Sequence, residues 1–366
     1  MRTVAVVGAG IIGAAAAWHL ARRGARVIVL ERAAAPATGT SATSFCRVSP
    51  FGHPPGSYFE LNRAGLAEHH RLRAEGVPGF HPCATLVWRA DPDRLRAEIT
   101  AARGHGYAVS CPPTAQIAAF SVTPSRRPAL VAYLPEEGWA DLPVMAQWML
   151  ERARRHGAEV RFHAVVSGVR RNGDGAVRGV DLESGARVAA DVVLNAAGAQ
   201  GDRVARLAGG PLPLAPTSGL LVELPLRGSV PLMLVTPRVS VRPAGPDSVQ
   251  AHSDAVDSRL ETAPLARLVA DLSQRAAALV PGLAGARPVA VRVGVRARPA
   301  DRYSSAGFLA TVPGYYEAVT HSGATLGPLL GRLAAEEITG GPRSPLLAPY
   351  SPDRFLAASP ASPAVR

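Results

Sequence analysis

Three glycines and one acid near the start of the chain have the spacing that binds a dinucleotide. Gly8, Gly10 and Gly13 follow a short apolar segment, and Glu31 follows Gly13 by 18 residues. Gly8 would permit a tight turn, Gly10 would let the backbone approach a pyrophosphate, and Gly13 would let a helix pack closely on a strand. A carboxylate at the position of Glu31 can accept hydrogen bonds from a ribose. These residue types therefore predict a dinucleotide site.

The elements that would position these residues form a βαβ unit. The sequence predicts a buried strand from Thr3, a helix of small apolar residues after Gly10, and a second buried strand that ends before Glu31. The N-terminus of such a helix presents free N–H groups and the positive end of its dipole to a phosphate. The alternative is an ordinary glycine-punctuated βαβ crossover with no ligand.

Composition narrows the class of protein. The chain has 366 residues, 47% of them hydrophobic, which is enough for a large core and one or two domains. The net charge is +12, and all 40 basic residues are arginine. The arginines are scattered and aromatic residues make up only 5%, so the sequence favours no nucleic-acid partner.

The cysteines and the hydropathy pattern indicate a cytoplasmic protein. Cys46, Cys83 and Cys111 are an odd and sparse set without metal-ligand spacing, so we expect neither a disulfide framework nor a metal site. The glycines of the first apolar segment argue against a signal peptide. No stretch approaches the ~20 apolar residues of a membrane helix, and we expect no membrane partner.

Segments typical of a nucleotide-binding domain occur at the start, the middle and the end of the chain, and strand-rich segments lie between them. A binding domain interrupted in this way is more typical of FAD than of NAD proteins. We expect an α/β fold with a discontinuous Rossmann-like FAD-binding domain (1–85, 141–215 and 300–340) and a second, antiparallel-sheet substrate domain (86–140 and 216–299). A Pro-rich tail, 341–366, is expected to be extended or disordered.

Three separated segments resemble one family, the FAD-dependent amine and amino-acid oxidases, which include glycine oxidase, D-amino-acid oxidase and monomeric sarcosine oxidase. They are the glycine motif with Glu31 and Arg32, the segment Leu194-Asn-Ala-Ala-Gly-Ala, and residues 318–328. The resemblance runs from residue 3 to about residue 338 and implies bound FAD. Sarcosine oxidases attach their flavin through a cysteine near the C-terminal domain. Since all cysteines here precede residue 112, we expect non-covalent FAD.

The resemblance also implies which residues contact FAD. A loop of hydroxyl residues lies along the flavin and pyrophosphate, a backbone segment holds the adenine, and the loop before the last helix faces the flavin pyrimidine ring. His321 could equally be a structural histidine. The expected cofactor-binding residues are Gly8, Gly10, Ile11, Ile12, Gly13, Glu31, Arg32, Thr40, Ser41, Thr43, Ser44, Val166, Ala197, Gly198, His321, Ser322, Gly323, Ala324 and Thr325.

An arginine is expected to bind the substrate. Residues 293–301 resemble a family segment, Gly-Leu-Arg-Pro, whose arginine pairs with the substrate carboxylate, and Arg296 stands at that place. A guanidinium fork matches a carboxylate. Arg242 is expected to be a second anion contact. His252 is a candidate to replace the lysine that promotes reaction with oxygen in sarcosine oxidases, since this chain has no lysine.

The resemblance implies oxidation of the C–N bond of an amino acid or carboxylated amine. A hydride would pass to flavin N5, the imine would hydrolyse, and O₂ would reoxidise the flavin. Two alternatives stay open: a dehydrogenase that uses a quinone or protein acceptor, and a non-catalytic subunit that binds FAD. The sequence leaves the substrate, its chirality and the oligomeric state open.

Overall fold

The computed structural model describes residues 1–120, 122–124 and 127–356. The α-helices in this part of the chain are α1 (Ile11–Arg22), α2 (Ser57–Ala74), α3 (Pro92–Gly104), α4 (Leu142–Arg155), α5 (Gly201–Ala208), α6 (Asp254–Asp257), α7 (Leu265–Leu279) and α8 (Gly323–Ile338). The strands are β1 (Thr3–Val7), β2 (Arg26–Leu30), β3 (Arg47–Val48), β4 (Phe80–Pro82), β5 (Thr85–Val87), β6 (Ala132–Leu134), β7 (Gly138–Ala140), β8 (Glu159–Arg161), β9 (Val166–Arg171), β10 (Val177–Leu182), β11 (Arg187–Ala189), β12 (Val192–Asn195), β13 (Thr217–Pro225), β14 (Met233–Val235), β15 (Ser240–Pro243), β16 (Ser248–His252), β17 (Ala290–Arg296), β18 (Ser305–Phe308) and β19 (Tyr315–Val319).

A six-stranded sheet forms the nucleotide-binding part, with the strand order β18-β19-β12-β1-β2-β8. Its pairs are parallel except for β18 and β19. The central strand β1 is almost wholly apolar and buried, as expected for a parallel strand covered on both faces. Helix α1 packs against α4 and α8. The predicted α/β fold with a Rossmann-like domain is confirmed.

A seven-stranded sheet with the order β17-β13-β16-β15-β14-β5-β6 forms the second layer of the molecule. All its pairs are antiparallel except β14 with β5. Helix α7 packs on this sheet and buries Leu268, Leu272 and Ala276. Two smaller sheets, β11-β10-β9 and β3-β7-β4, flank the large ones. Trp139 of β7, in the sheet β3-β7-β4, packs on an arginine of the seven-stranded sheet.

The two large sheets divide the chain as follows. Strands of the six-stranded sheet lie between residues 3 and 30, 159 and 195, and 305 and 319, whereas those of the seven-stranded sheet lie between residues 85 and 134 and between 217 and 296. The polypeptide thus crosses between the layers several times, and residues distant in sequence meet where the layers touch.

The expectation of an extended or disordered tail was wrong for residues 341–356. Short 3₁₀ helices form at Pro345–Tyr350 and Pro352–Phe355. Leu347, Tyr350 and Phe355 are buried, so apolar side chains anchor a segment whose composition is otherwise typical of disorder. Residues 357–366 of the expected tail lie outside the described residues. Within the described chain, no helix is long and apolar enough to cross a bilayer.

Candidate functional site

The turn after β1 requires glycine at two positions. Gly8 has a φ of +103°, and a β-carbon there would lie 2.6 Å from the carbonyl oxygen of Ala196. A β-carbon on Gly13 would lie 2.0 Å from the carbonyl oxygen of Gly8. Helix α1 then begins at Ile11 with Gly10 as an N-cap that makes no side-chain hydrogen bond. The N-terminus of α1 faces a cavity that Gly10, Ile11 and Ile12 line.

Glu31 stabilises this turn as well as facing the cavity. Its carboxylate accepts hydrogen bonds from the backbone N–H groups of Ala9 at 2.7 Å and Ala33 at 2.9 Å. An ionised carboxylate can accept about four hydrogen bonds, so it retains capacity for a ribose. The sequence motif predicted the position of Glu31 but not its two bonds to the protein backbone.

A cavity of about 430 Å³, here called the dinucleotide cavity, begins at this turn and continues along the ends of β2, β12 and β19. Among the expected cofactor residues, Gly13, Ser322 and Thr325 do not line it. Those that do are Gly8, Gly10, Ile11, Ile12, Glu31, Arg32, Thr40, Ser41, Thr43, Ser44, Val166, Ala197, Gly198, His321, Gly323 and Ala324.

The hydroxyl loop is held by its own hydrogen bonds. Ser41 Oγ accepts a bond from the N–H of Ile11 at 3.2 Å, and Thr40 Oγ1 donates to the carbonyl oxygen of Val295 at 2.6 Å. Thr43 Oγ1 donates to Gly39 O at 3.3 Å, while Ser44 Oγ accepts from the N–H of Cys46 at 3.3 Å. The loop thus connects the N-terminus of α1 to β17 of the other sheet.

The N-terminus of α8 closes the far end of the dinucleotide cavity. Its N-cap, Ser322, makes no capping side-chain bond; its hydroxyl lies 3.1 Å from that of Tyr58. Gly323 and Ala324 line the cavity, so the uncapped end of α8 lies at its wall. Thr325 instead binds the N–H of Ser49 and is buried.

A second cavity of about 1110 Å³ adjoins the first. The two cavities meet at a junction where the same residues line both of them: Thr40, Thr43, Ser44, His321 and Ala324. His321 is an exposed residue that lines both cavities. Desolvation by the surrounding protein, together with the charges of Arg296 and Arg298, lowers its pKa to about 4, so the imidazole at the junction is neutral at pH 7.

Arg296 and His252 both line the second cavity, and they meet at Asp257. Arg296 forms an ion pair with Asp257, and its Nη2 lies 2.8 Å from Nε2 of His252. That His252 nitrogen is 2.9 Å from Oδ2 of Asp257. Burial acts to raise the pKa of Asp257, but the hydrogen bond from His252 and the charges of His252 and Arg296 outweigh it and hold the pKa below its usual value.

Sequence reasoning missed Asp257. The acid lies in the four-residue helix α6, and no motif connects it with an arginine 39 residues away. Together with Asp254 and His252 it brings possible metal ligands within 4.8 Å of one another. The guanidinium of Arg296 already supplies a cation there, which disfavours a metal ion.

The expected role of Arg242 as an anion contact does not fit the structure. Arg242 is only 5% exposed, and its guanidinium donates to Phe45 O, Pro243 O and Gln250 Oε1. Its Cζ lies 4.4 Å from the ring centroid of Trp139. Because these contacts use its donors and cover its face, Arg242 is a structural residue that does not line either cavity.

Known proteins resemble this chain over nearly its whole length. The family model described as DAO, FAD dependent oxidoreductase, matches residues 3–337. Glycine oxidase from Geobacillus kaustophilus is 28% identical, with 96% of this chain and 97% of that protein covered. A crystal structure of glycine oxidase from that organism has a TM-score of 0.85 at 23% identity and covers 96% of this chain and 98% of that one.

A longer relative also matches. The tRNA 5-methylaminomethyl-2-thiouridine biosynthesis bifunctional protein MnmC from Thiobacillus denitrificans is 29% identical over 97% of this chain. The chain spans only 59% of the length of that protein.

Proposed function

This chain belongs to the DAO family of FAD-dependent oxidoreductases, and from that premise we propose that it oxidises the C–N bond of an amino acid or related carboxylated amine. The observation that carries the proposal is the junction of the two cavities. One cavity has the features of a dinucleotide site, and the other contains arginines that can bind a carboxylate. A substrate in the second cavity would meet the cofactor at Thr43 and His321.

The described residues fit FAD. The N-terminus of α1, whose residues Gly10, Ile11 and Ile12 line the dinucleotide cavity, suits a pyrophosphate. We expect Glu31 to bind the ribose and Val166, which lines the same cavity, to hold the adenine end. The uncapped N-terminus of α8 would stabilise negative charge on a reduced flavin ring. When bound, FAD supplies the acceptor for two electrons and a proton.

The residues of this chain would act mainly by positioning the substrate. A neutral His321 at the junction can accept a hydrogen bond from a substrate amine and orient its carbon toward the cofactor. An arginine binds the carboxylate and fixes the other end of the molecule. Two-point binding of this kind lowers the entropic part of the barrier, and no general base is needed for transfer of a hydride.

We propose O₂ as the electron acceptor. His252, which lines the second cavity, would take the place of the absent lysine in promoting the reduction of oxygen. The alternative is a dehydrogenase that passes electrons to a quinone or protein. Rapid mixing of substrate-reduced enzyme with oxygenated buffer distinguishes the two, because an oxidase recovers its oxidised spectrum within its turnover time.

A second candidate substrate class is a larger molecule that carries the reacting amine. The size of the second cavity favours it, since its volume of about 1110 Å³ is slightly above the range of about 300–1,000 Å³ for sites that bind drug-sized ligands. The MnmC relative is named for a modified nucleoside that contains a methylaminomethyl group. N-substituted amino acids with increasing substituent size test this candidate, and rising affinity with size would support it.

The proposed function is tested by anaerobic titration. The holoenzyme is mixed with glycine, with D- and L-α-amino acids and with N-methyl amino acids, and the flavin absorbance near 450 nm is recorded. We expect at least one carboxylated amine to bleach the flavin, whereas the matching carboxylate without an amine should not. If no amine reduces the flavin but dithionite does, the protein is a non-catalytic FAD-binding subunit and the proposal is wrong.

A further inference from the structure

Helix α8 contains a proline, Pro328, in its second turn. In an α-helix the carbonyl oxygen of each residue accepts a hydrogen bond from the N–H four residues later, and proline has no N–H. The carbonyl oxygen of Ala324 therefore lacks its usual donor within the helix. Ala324 belongs to the first turn of α8 and lines both cavities at their junction.

A histidine of α2 supplies the missing donor. Nε2 of His69 lies 2.8 Å from the carbonyl oxygen of Ala324. Because a carbonyl oxygen only accepts hydrogen bonds, this imidazole nitrogen carries a proton. In the part of the chain that the structure describes, Nδ1 of His69 has no hydrogen-bond partner. Burial lowers the pKa of His69 to about 4, so the ring is neutral at pH 7 and holds its one proton at Nε2.

The packing of α2 against α8 fixes the position of His69. At Gly65, one turn earlier in α2, a β-carbon would lie 2.7 Å from the carbonyl oxygen of Thr325, so the glycine lets the two helices approach closely. The ring of Phe80 packs on that of His69, with the ring centroids 5.1 Å apart. His69 is fully buried and lines neither cavity. It can therefore influence a ligand in the cavities only through Ala324.

We propose that His69 is a positioning residue, whose hydrogen bond to Ala324 holds the first turn of α8 in the orientation that stabilises negative charge on the flavin. This inference rests on the proposed function, which expects the flavin ring at the N-terminus of α8. The stabilisation of an anion by a helix N-terminus is confined to the first turn, so it depends on how that turn is held. A buried carbonyl without a donor is unfavourable. Without His69 the turn would shift toward another donor, and the stabilisation would weaken.

Binding of sulfite to the FAD-loaded protein tests the proposal without an amine substrate. Sulfite adds through its sulfur lone pair to N5 of an oxidised flavin, and the negative charge then lies on the pyrimidine part of the ring. The Kd for sulfite, measured from the loss of flavin absorbance, reports how well the protein stabilises that charge. We expect His69→Leu to raise this Kd by about three- to tenfold. The midpoint potential of the flavin should fall by about 15–30 mV, which is the same factor for a two-electron couple.

Pro328→Ala distinguishes a role through the Ala324 carbonyl from a general contribution to folding. This change introduces a backbone N–H four residues after Ala324, so the carbonyl oxygen regains a donor within the helix. In the Pro328→Ala background we expect His69→Leu to change the Kd for sulfite by less than about twofold, as a double-mutant cycle would reveal. If His69→Leu alone fails to fold, the double variant is still compared with Pro328→Ala.

His70→Leu is a matched control. His70 is the next residue of α2 and is exposed, and its Nε2 lies 2.8 Å from the carbonyl oxygen of Glu136, which is not part of α8. The variant loses the same kind of hydrogen bond and should keep the wild-type Kd for sulfite and the wild-type potential.

Two results would overturn the proposal. One is a wild-type Kd for sulfite and a wild-type potential in His69→Leu with normal FAD content. The other is an effect of His69→Leu that is equally large with and without Pro328→Ala. Flavin bleaching by amines is recorded separately, so a failure of the proposed function is distinguished from a failure of this assignment.

Discussion

The guanidinium of Arg296 lies over Gly219, in the space that a β-carbon at that position would occupy. Such a β-carbon would be 2.4 Å from Nη2 and 2.8 Å from Cζ of Arg296. Gly219 is on β13, which pairs with β17, the strand that carries Arg296. The glycine is therefore part of what holds Arg296 against Asp257.

Gly219→Ala should move the arginine without unfolding the protein. The displaced atoms are the end of a flexible side chain, so we expect a stability change of less than about 1.5 kcal/mol. Asp257 loses its counter-ion, and we expect the KM for carboxylated amines to rise several-fold while FAD content stays normal. KM and the melting temperature are the measurements.

A matched control for this substitution is Gly245→Ala, where a β-carbon would meet only Ser248 Oγ at 3.5 Å. It should leave both KM and melting temperature unchanged. An unaltered KM in Gly219→Ala would mean that the position of Arg296 has no influence on substrate binding.

FAD should be released from the protein by acid. Cys46 and Cys83 are buried and half-buried, Cys111 is exposed, and none of these three cysteines lines the dinucleotide cavity. We expect a yellow protein whose flavin appears in the supernatant after acid precipitation, identified as FAD by chromatography. Flavin fluorescence that stays with the protein band on a denaturing gel would contradict a non-covalent cofactor.

Glu31→Ala should weaken FAD binding by two routes. It removes the carboxylate expected to bind the ribose, and it leaves the N–H groups of Ala9 and Ala33 without their acceptor. Loss of hydrogen bonds to a charged group corresponds to about 1.5–3 kcal/mol, which is roughly a 10- to 150-fold rise in the Kd for FAD. Titration of the apoprotein with FAD measures this Kd.

Glu31→Gln separates the two routes. The glutamine can still accept one backbone hydrogen bond, but its NH₂ group faces the N–H of either Ala9 or Ala33. We expect an intermediate Kd. Wild-type FAD affinity in both variants would show that Glu31 is only a residue at the end of a strand.

Residue patterns within a short stretch of sequence predicted those turns and helix starts whose structure depends only on neighbouring residues. The glycine spacing located the turn after β1, where Gly8 has a positive φ, and the helix that follows it. The sequence did not predict the ion-pair partners of Arg292 and Arg296. Arg292 pairs with Glu223 of the neighbouring strand β13, and Arg296 pairs with Asp257 of helix α6, so both contacts depend on the tertiary structure.

Arg242 shows the same limit more clearly. The strand pairing puts Ser240 opposite His252, and both line the second cavity. Arg242 is two residues further along the same strand, but Trp139 of β7 covers it. Alternation along a strand predicts a face of the sheet, whereas the elements that cover that face come from distant parts of the chain.

Stability should fall as the pH rises from about 4.5 to about 7, because of Glu317. This carboxyl group is 1% exposed and hydrogen-bonded to Ser305 and Tyr315, and its burial raises its pKa from 4.5 to about 7. Below pH 4.5 both the folded and the unfolded chain hold the proton, so Glu317 costs nothing. Between pH 4.5 and about 7 the unfolded chain loses this proton while the folded chain keeps it, so the free energy of unfolding decreases as the pH rises. Above the folded pKa both states are ionised and the decrease stops.

The loss should be on the order of 3 kcal/mol for a shift of this size, and it is measured as the difference in unfolding free energy between pH 5 and pH 8. Glu317→Gln is neutral throughout and should remove most of that difference. Glu151→Gln, on the exposed side of α4, controls for the loss of one acidic charge and should keep the wild-type dependence. If Glu317→Gln also keeps it, another buried group determines the pH dependence and Glu317 is ionised in the folded protein at pH 5.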